Sequence, residues 1–364
     1  MDETQLTEDW AALAAYLPAD LEASAAEHGY TRRTTGRQSA EMWLRLILMH
    51  VAGGLSLAQT VARAEARGWT SVSSIALHKR LGNAGPWLEA LTAHLLKGQV
   101  KWRGRLRSIR GKKFSIIDAT DIQEPGATGT DWRLHYSIRL PDLICDHFEL
   151  TDETQAESFN RFKLGPGDVA VADRGYCHRQ AVAHIMDGGA DAMVRLVPGN
   201  FPLLDRHGKP FEVLGACAGL RPNTKGEWDV WFEDGGWLRR LRLCVYCKPL
   251  IATLEAQKKL RSKASRKGTN LQESTLKAAG YVMILTTLSK AELTTHQSLE
   301  VYRSRWQIEL AFKRMKSLLQ LGHLPKGSEQ TSRSWLQAKI LVALLIEALL
   351  CDSKAFSPYG YGLR

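Results

Sequence analysis

The chain has 364 residues, 44% of them hydrophobic and 24% charged, which is the balance of an ordinary folded protein of two or three domains. That balance excludes a disordered tail, a collagen or a mucin-like stalk. Forty-nine Lys and Arg against 38 Asp and Glu leave a formal net charge of +11, so an anionic partner is expected, with nucleic acid ahead of an acidic membrane surface.

The N-terminus, MDETQLTEDW, is acidic where a secretory signal would be basic. The longest apolar stretch, ILVALLIEALL at 340–350, carries Glu347 and falls short of the roughly 20 residues that span a bilayer. With only six cysteines, reduced thiols are expected. These features predict a soluble cytoplasmic protein without a membrane partner.

From 5 to 100 the pattern is helical. In EMWLRLILMHVAG, Met42, Leu44, Leu46, Ile47, Leu48 and Val51 form an apolar run too long for one strand. LSLAQTVARAEARGWTSVSSIALHKRLG then reads as two short helices joined through Gly68, with Ser71 or Ser74 as N-cap. The pair is either a helix-turn-helix offering His78, Lys79 and Arg80 to a major groove or a plain packed pair. A basic hinge follows, with Lys101, Arg103, Arg105, Arg107, Arg110, Lys112 and Lys113 in thirteen residues that contain no acid. Its expected role is contact with phosphates.

At 114 the period turns extended. FSIID is a strand ending on Asp118, and LHYSIRL and LICDHFELTD form a hairpin beside it. A short helix near 157–163 precedes a buried strand, GPGDVAVADRGY, then a helix at 178–187 and a fifth strand, DAMVRLV. A meander followed by strands alternating with helices predicts a mixed α/β sheet. From 198 to 280 Pro, Gly and Trp punctuate extended runs, and a second acid-free basic run gathers Lys258, Lys259, Arg261, Lys263, Arg266 and Lys267. This is expected to be a β-rich insertion carrying a basic helix or loop. YVMILTT and a long helix from Ser298 return the chain to the core.

In that helix, VYRSRWQIELAFKRMKSLL, continuous winding at about 100° per residue places Tyr302, Arg305, Glu309 and Lys316 within about 60° of one another. Ile308, Phe312, Met315 and Leu319 form a neighbouring apolar stripe for docking on the sheet. Asp118 and Asp173 each close a strand, and ligands of α/β sheets gather outside strand carboxyl ends. Three carboxylates converging there need cations between them. Mg²⁺ suits oxygen donors that share the ion with phosphate, and two such ions serve in-line displacement at phosphorus.

The chain resembles the DDE transposases of bacterial insertion sequences, specifically the insertion-sequence-4 group. That group's signature is Tyr, two residues, Arg, three residues, Glu, six residues, Lys, which Tyr302, Arg305, Glu309 and Lys316 match. Its first aspartate opens a D-x-T, matched by Asp118-Ala119-Thr120, and its second sits in a D-R turn, matched by Asp173-Arg174-Gly175-Tyr176. Asp121, three residues on from Asp118, is the alternative first ligand.

The resemblance implies a ribonuclease-H-like core interrupted by a β-rich insertion between the second aspartate and the glutamate, 136 positions apart here. The expected division is 1–100 helical and DNA-binding, 101–197 core, 198–280 insertion, and 281–364 core with C-terminal helices. It implies Asp118, Asp173 and Glu309 as catalytic metal ligands for two Mg²⁺ ions, with Mn²⁺ as substitute. It implies DNA contacts by Tyr302, Arg305, Lys316, Arg174 and Arg195, and a Trp among Trp228, Trp231 and Trp237 stacking a flipped base. The implied activity is cut-and-paste transposition: cleavage at terminal inverted repeats and joining of 3′-hydroxyl ends to target DNA. The implied assembly is a homodimer or higher oligomer on double-stranded DNA, at the bacterial nucleoid. The rivals are a ribonuclease-H-like nuclease without strand transfer and an inactive transposase-derived regulator. Cys244 and Cys247 have half the spacing of a zinc site, with no second pair to complete it.

Overall fold

The computed structural model describes residues 10–31, 38–102, 109–124, 126, 132–322, 324 and 328–355. Five helices lead: α1 (Leu21–Glu27), α2 (Ala40–Gly53), α3 (Leu57–Ala66), α4 (Ser74–Asn83) and α5 (Gly85–Trp102). The starts of the first four are set by side-chain caps. Ser39 Oγ accepts from Met42 N–H, and Ser56 forms a reciprocal capping box with Gln59. The cap of α4 is Ser73, not Ser71 or Ser74, because its hydroxyl reaches the Ala76 N–H. Trp43, Leu44, Leu46, Ile47, Leu48 and Val51 of α2 are all buried. Each contributes on the order of 1.5–3 kcal/mol of transfer free energy, an upper bound set by the extended-chain reference. The last helix, α12 (Glu329–Ala355), packs across α5, α4 and α2. Ser334 Oγ donates to the Gly82 carbonyl at 3.1 Å, and Lys339 donates to the Val51 carbonyl from beside the Trp335 ring. The C-terminal helix thereby completes the N-terminal helical group.

The sheet holds β1 (Lys113–Ile122), β2 (Trp132–Leu140), β3 (Ile144–Asp152), β4 (Asp168–Ala172), β5 (Asp191–Arg195), β6 (Lys225–Asp234), β7 (Trp237–Cys247) and β8 (Tyr281–Thr286). Their order is β3-β2-β1-β4-β5-β8-β7-β6. The first three form an antiparallel meander, while β4 runs parallel to β1 and β5 to β4. This is the ribonuclease-H-like mixed sheet expected from the sequence. The hairpin β6–β7 pairs through β8 and so lengthens the same sheet. The basic run 258–267 lies on a helix, α8 (Leu250–Lys267), that follows this hairpin. The elements between are α6 (Arg179–Asp187), α7 (Val213–Cys217) and α9 (Glu273–Ala278), and the helix expected near 157–163 is a three-residue 3₁₀ turn, Phe159–Arg161.

Strand periodicity divides the core in two. Phe114, Ile116, Val169, Val171 and Met193 face the N-terminal helices and α12, whereas Ile117, Ala170, Ala172 and Val194 face α6. Burial on both faces explains the nearly unbroken apolar runs in β4 and β5.

The long helix expected from Ser298 is two helices, α10 (Thr295–Arg303) and α11 (Trp306–Ser317). At the join the bonding tightens to i→i−3: Ser304 N–H to Val301, Arg305 N–H to Tyr302 and Ile308 N–H to Arg305, at 3.0–3.2 Å. No Gly or Pro announces the break. Its effect is that Tyr302 is buried in the core while Glu309 faces solvent, so the four signature residues do not share one exposed face.

Candidate active site

The register of β1 against β4 ends with Ile117 beside Ala172. Asp118 and Asp173 are the next residue of each chain, so parallel pairing sets them side by side, with strands about 4.8 Å apart. Asp118 does not close β1, which continues to Ile122 paired with β2 alone. It stands instead where the parallel pairing stops, which opens the space above it. Its side chain shares the face of Phe114 and Ile116, the face on which α11 packs. Asp173 N-caps the turn Arg174–Tyr176, with Oδ1 accepting from Gly175 N–H at 2.6 Å.

Ile308, Phe312 and Met315 are buried, and Phe312 meets Tyr136 of β2 with ring centroids 6.0 Å apart. That docking delivers the polar side of α11 to the aspartates. Arg305 spans the gap, with Nη1 3.5 Å from Asp118 Oδ2 and Nη2 donating to Glu309 Oε1. Glu309 is 58% exposed, whereas Asp118 and Arg305 are 16% and 17% exposed. Lys316 Nζ donates to the Asp121 carbonyl at 2.7 Å, tying the far end of α11 to β1. The Asp121 carboxylate itself is taken by Arg133 Nε at 2.8 Å. Arg195 ends β5, and its charge reaches the buried Tyr302 hydroxyl. Arg174 is exposed in the turn after Asp173.

Comparison with known proteins gives this geometry a family. Residues 149–345 match the family described as Transposase DDE domain, a span that holds Asp173 and Glu309. The chain is 34% identical over 364 residues to the InsL protein for insertion sequence element IS186A of Escherichia coli K12, covering 98% of this chain and 97% of that one. It is likewise 34% identical over 365 residues to the transposase for insertion sequence element IS421 of Escherichia coli, at the same coverage. The chain belongs to the DDE transposases. A piggyBac transposase, solved by cryo-EM as a synaptic complex with hairpin DNA, shares the fold at TM-score 0.51 and 10% identity, over 95% of this chain and 76% of that one.

DDE transposases cut DNA and as a rule use divalent metal ions. Burial pushes the Asp118 carboxyl up to about 7; the Ala119 N–H opposes this, Asp173 adds to it, Arg305 opposes it and Glu157 adds again. Glu157 is a member of this cluster that the sequence pattern did not single out. Burial pushes the Tyr302 hydroxyl up to about 12, with Arg305 and Arg195 opposing. The hydroxyls of Tyr176 and Tyr302 are buried without a hydrogen-bond partner among the described residues.

Among the described residues no three His, Cys, Asp or Glu side chains stand close enough to hold an ion as they are. A resident cation explains part of this: the Arg305 guanidinium lies between Asp118 and Glu309. The donor set of Asp118, Asp173 and Glu309 is hard oxygen, so the chemistry of this transposase site fits a divalent cation.

Other candidates from the sequence fall elsewhere. Arg80 is engaged inside the helical group, donating to the Tyr30 carbonyl at 3.1 Å and lying over the rings of Tyr30 and Trp43, while His78 and Lys79 are exposed. In the basic hinge, residues 103–108 and the side chain of Lys101 lie outside the described residues. Lys112 is engaged by Glu292 at 2.8 Å. Trp237 is 77% exposed, but it opens β7 five residues before Arg242, which is level with Met193 through Thr286. At about 3.3 Å per residue that puts it toward the end of the sheet away from Asp118. Trp228, half-buried, is level with Val194 through Leu243 and Leu285, near the aspartate end. Cys244 and Cys247 occupy opposite faces of β7, which excludes a shared ion. No helix among the described residues is long and apolar enough to cross a membrane.

Proposed function

We propose that this chain is a cut-and-paste transposase of the insertion-sequence-4 group. It binds the terminal inverted repeats of its element, hydrolyses a strand at each end and joins the freed 3′-hydroxyl to target DNA. The observation that carries this reading is the pairing of Asp118 with Asp173 at the end of the parallel strands, beneath Arg305 and Glu309 of α11. Asp118, Asp173 and Glu309 would hold divalent ions, Mg²⁺ by donor chemistry with Mn²⁺ as substitute. Bound there, such ions would stabilise charge on the attacking and leaving oxygens at phosphorus.

The chain's own groups have separable tasks. Arg305 holds the carboxylates together without DNA, and a phosphate arriving above the site competes for its guanidinium, as bidentate Arg–phosphate contacts do. Its transfer to phosphate frees Glu309 and Asp118 to share a cation. Lys316 fixes α11 against β1, and its ammonium sits beside the same strand end. Arg174 and Arg195 add positive charge at the rim. The engagement of Asp121 by Arg133 favours Asp118 as the first ligand.

The DNA-handling parts follow the same logic. Residues 1–100, against which α12 packs, are assigned to end recognition, 101–197 to the catalytic core, 281–364 to the rest of that core and the C-terminal helices, and 198–280 to an insertion that grips phosphates through α8. Two copies are required to hold two ends. The test incubates protein, Mg²⁺ and a pre-cleaved end with plasmid. Strand transfer is expected, and Asp118→Asn, Asp173→Asn or Glu309→Gln should each abolish cleavage while end binding persists. Cleavage without joining would make the protein a nuclease, and unimpaired variants would remove the metal assignment.

A further inference from the structure

The helix α4 is fixed along one side and bare along the other. Leu77 and Leu81 are buried where α4 packs against α2, α3, α5 and α12. Arg80 belongs to this attachment, donating to the Tyr30 carbonyl at 3.1 Å and lying over the rings of Tyr30 and Trp43. Gly82 lets α12 close in: a Cβ there would fall 3.2 Å from Thr331 Oγ1, and Ser334 donates to the Gly82 carbonyl at 3.1 Å. Asn83 accepts from Gln330 of α12 at 3.4 Å, and at the other end Ser73 Oγ accepts from Ala76 N–H at 3.1 Å. The helix is therefore gripped at both ends and along one side.

The opposite side carries Ile75, His78 and Lys79. They stand three and four residues apart, so they share one edge of the helix. Ile75 is 67% exposed. His78 and Lys79 are exposed as well, and neither side chain enters a hydrogen bond or ion pair among the described residues. The charge here has one sign. From Ala66 to Leu88 the sequence contains Arg67, Lys79 and Arg80 and no Asp or Glu, so the edge is complementary to a polyanion. Its side chains are also of the types that read base edges. Lysine donates to guanine O6 and N7, an imidazole donates or accepts, and an aliphatic group meets the thymine methyl. At ten residues α4 is about 15 Å long and, like any helix, about 10–12 Å across, which the major groove of B-DNA admits.

We propose that α4 reads the bases of duplex DNA, lying in the major groove with Ile75, His78 and Lys79 toward the base edges. The inference rests on the transposase reading above and names the element within residues 1–100 that tells the terminal repeats from other DNA. Arg80, expected from the sequence to face the groove, holds the helix in place instead, and Ile75 takes its position on the reading edge. Discrimination lies with α4, while affinity common to all sequences comes from cations elsewhere, those of α8 among them.

The test follows full-length protein by fluorescence anisotropy on two duplexes, one carrying the terminal inverted repeat that flanks its coding sequence and one shuffled to the same composition. Wild type should prefer the repeat. Ile75→Ala, His78→Ala and Lys79→Gln alter exposed side chains and should melt like wild type. His78→Ala and Lys79→Gln should each cut the preference about tenfold, as loss of a base contact does. Replacing the thymines of the repeat by uracil, one at a time, removes only a methyl; at one position it should weaken wild type about threefold and leave Ile75→Ala unaffected. A preference that survives in His78→Ala and Lys79→Gln overturns the proposal, and so does an equal loss on both duplexes, which marks contact with phosphates alone. Absence of any such thymine overturns the placement of Ile75. Should His78→Ala not fold, the result for Lys79→Gln decides by itself. Equal binding of both duplexes by wild type would instead sink the terminal-repeat reading on which the proposal stands.

Discussion

Replacing Asp118 by Asn should stabilise the metal-free protein at neutral and alkaline pH. Burial raises the Asp118 carboxyl from 3.8 to about 7, with Asp173 and Glu157 adding to the rise. Because the folded-state value is raised, this group's stability contribution is complete below about 4. It is lost progressively as pH climbs through 7, where the folded protein must ionise a buried acid that the unfolded chain ionises freely. A rise of that size corresponds to about 4 kcal/mol. That value already includes the opposing charge of Arg305, 3.5 Å away. The net gain for Asp118→Asn is therefore about 4 kcal/mol at pH 8, or about 4–6 °C in melting temperature for a chain of this size. It should shrink to nothing near pH 4. The assay is a paired series of melts in chelator between pH 4 and 8. A variant no more stable than wild type at pH 8, or offset equally at every pH, would refute a buried, repelled aspartate at this position.

Three further outcomes are expected. Arg305→Ala should lose cleavage yet bind Mn²⁺ about fivefold more tightly without DNA, since it removes an ion-pair contribution on the order of 1 kcal/mol; weaker binding in calorimetry would show that Arg305 does not compete with the cation. Arg242→Met should destabilise by about 3 kcal/mol in urea denaturation, because Arg242 is buried between Glu227 and the start of α10, donating to the Leu293 carbonyl at 2.6 Å and to Ser298 at 3.0 Å; a loss below about 1 kcal/mol would refute that anchorage. Lys258→Glu, Lys259→Glu and Arg266→Glu combined should flatten the log–log salt dependence of DNA affinity by about three, one for each phosphate no longer neutralised; an unchanged slope would place DNA elsewhere than on α8.

Much of the fold was legible because its signals are local. Alternation in FSIID and VAVA, the stripe Ile308–Phe312–Met315 and the hydroxyl caps each determine an element without distant help. The places of Asp118 and Asp173 were legible for the same reason, since each follows an apolar run and the two runs pair in parallel, although β1 continues past Asp118. The break at Ser304–Arg305 was not. Its i→i−3 bonds use ordinary residues, and only packing of α10 and α11 against different parts of the sheet selects them. Arg80 read as an exposed cation because nothing near it in sequence reveals Tyr30 and Trp43. Glu157 escaped notice inside TDETQAES, a stretch that reads as a solvated loop. Its place near Asp173 follows from the packing of Phe159 on Tyr176, which the local sequence does not announce.

The arrangement around Arg305 connects these points. In the DNA-free chain the cation between Asp118 and Glu309 is a side chain, the Arg305 guanidinium. On the proposed function, a guanidinium in that position would compete with ions for the carboxylates until a phosphate took it. The 3₁₀ turn at Ser304 sets Arg305 at the very start of α11, one helical turn before Glu309. On the proposed function, displacement of Arg305 by phosphate would couple DNA arrival to assembly of the cation site. Restoring α-helical bonding there, for instance with Ser304→Ala and Arg303→Leu together, should loosen that coupling, seen as Mn²⁺ affinity that no longer responds to added element-end DNA. A response equal to wild type would refute the coupling.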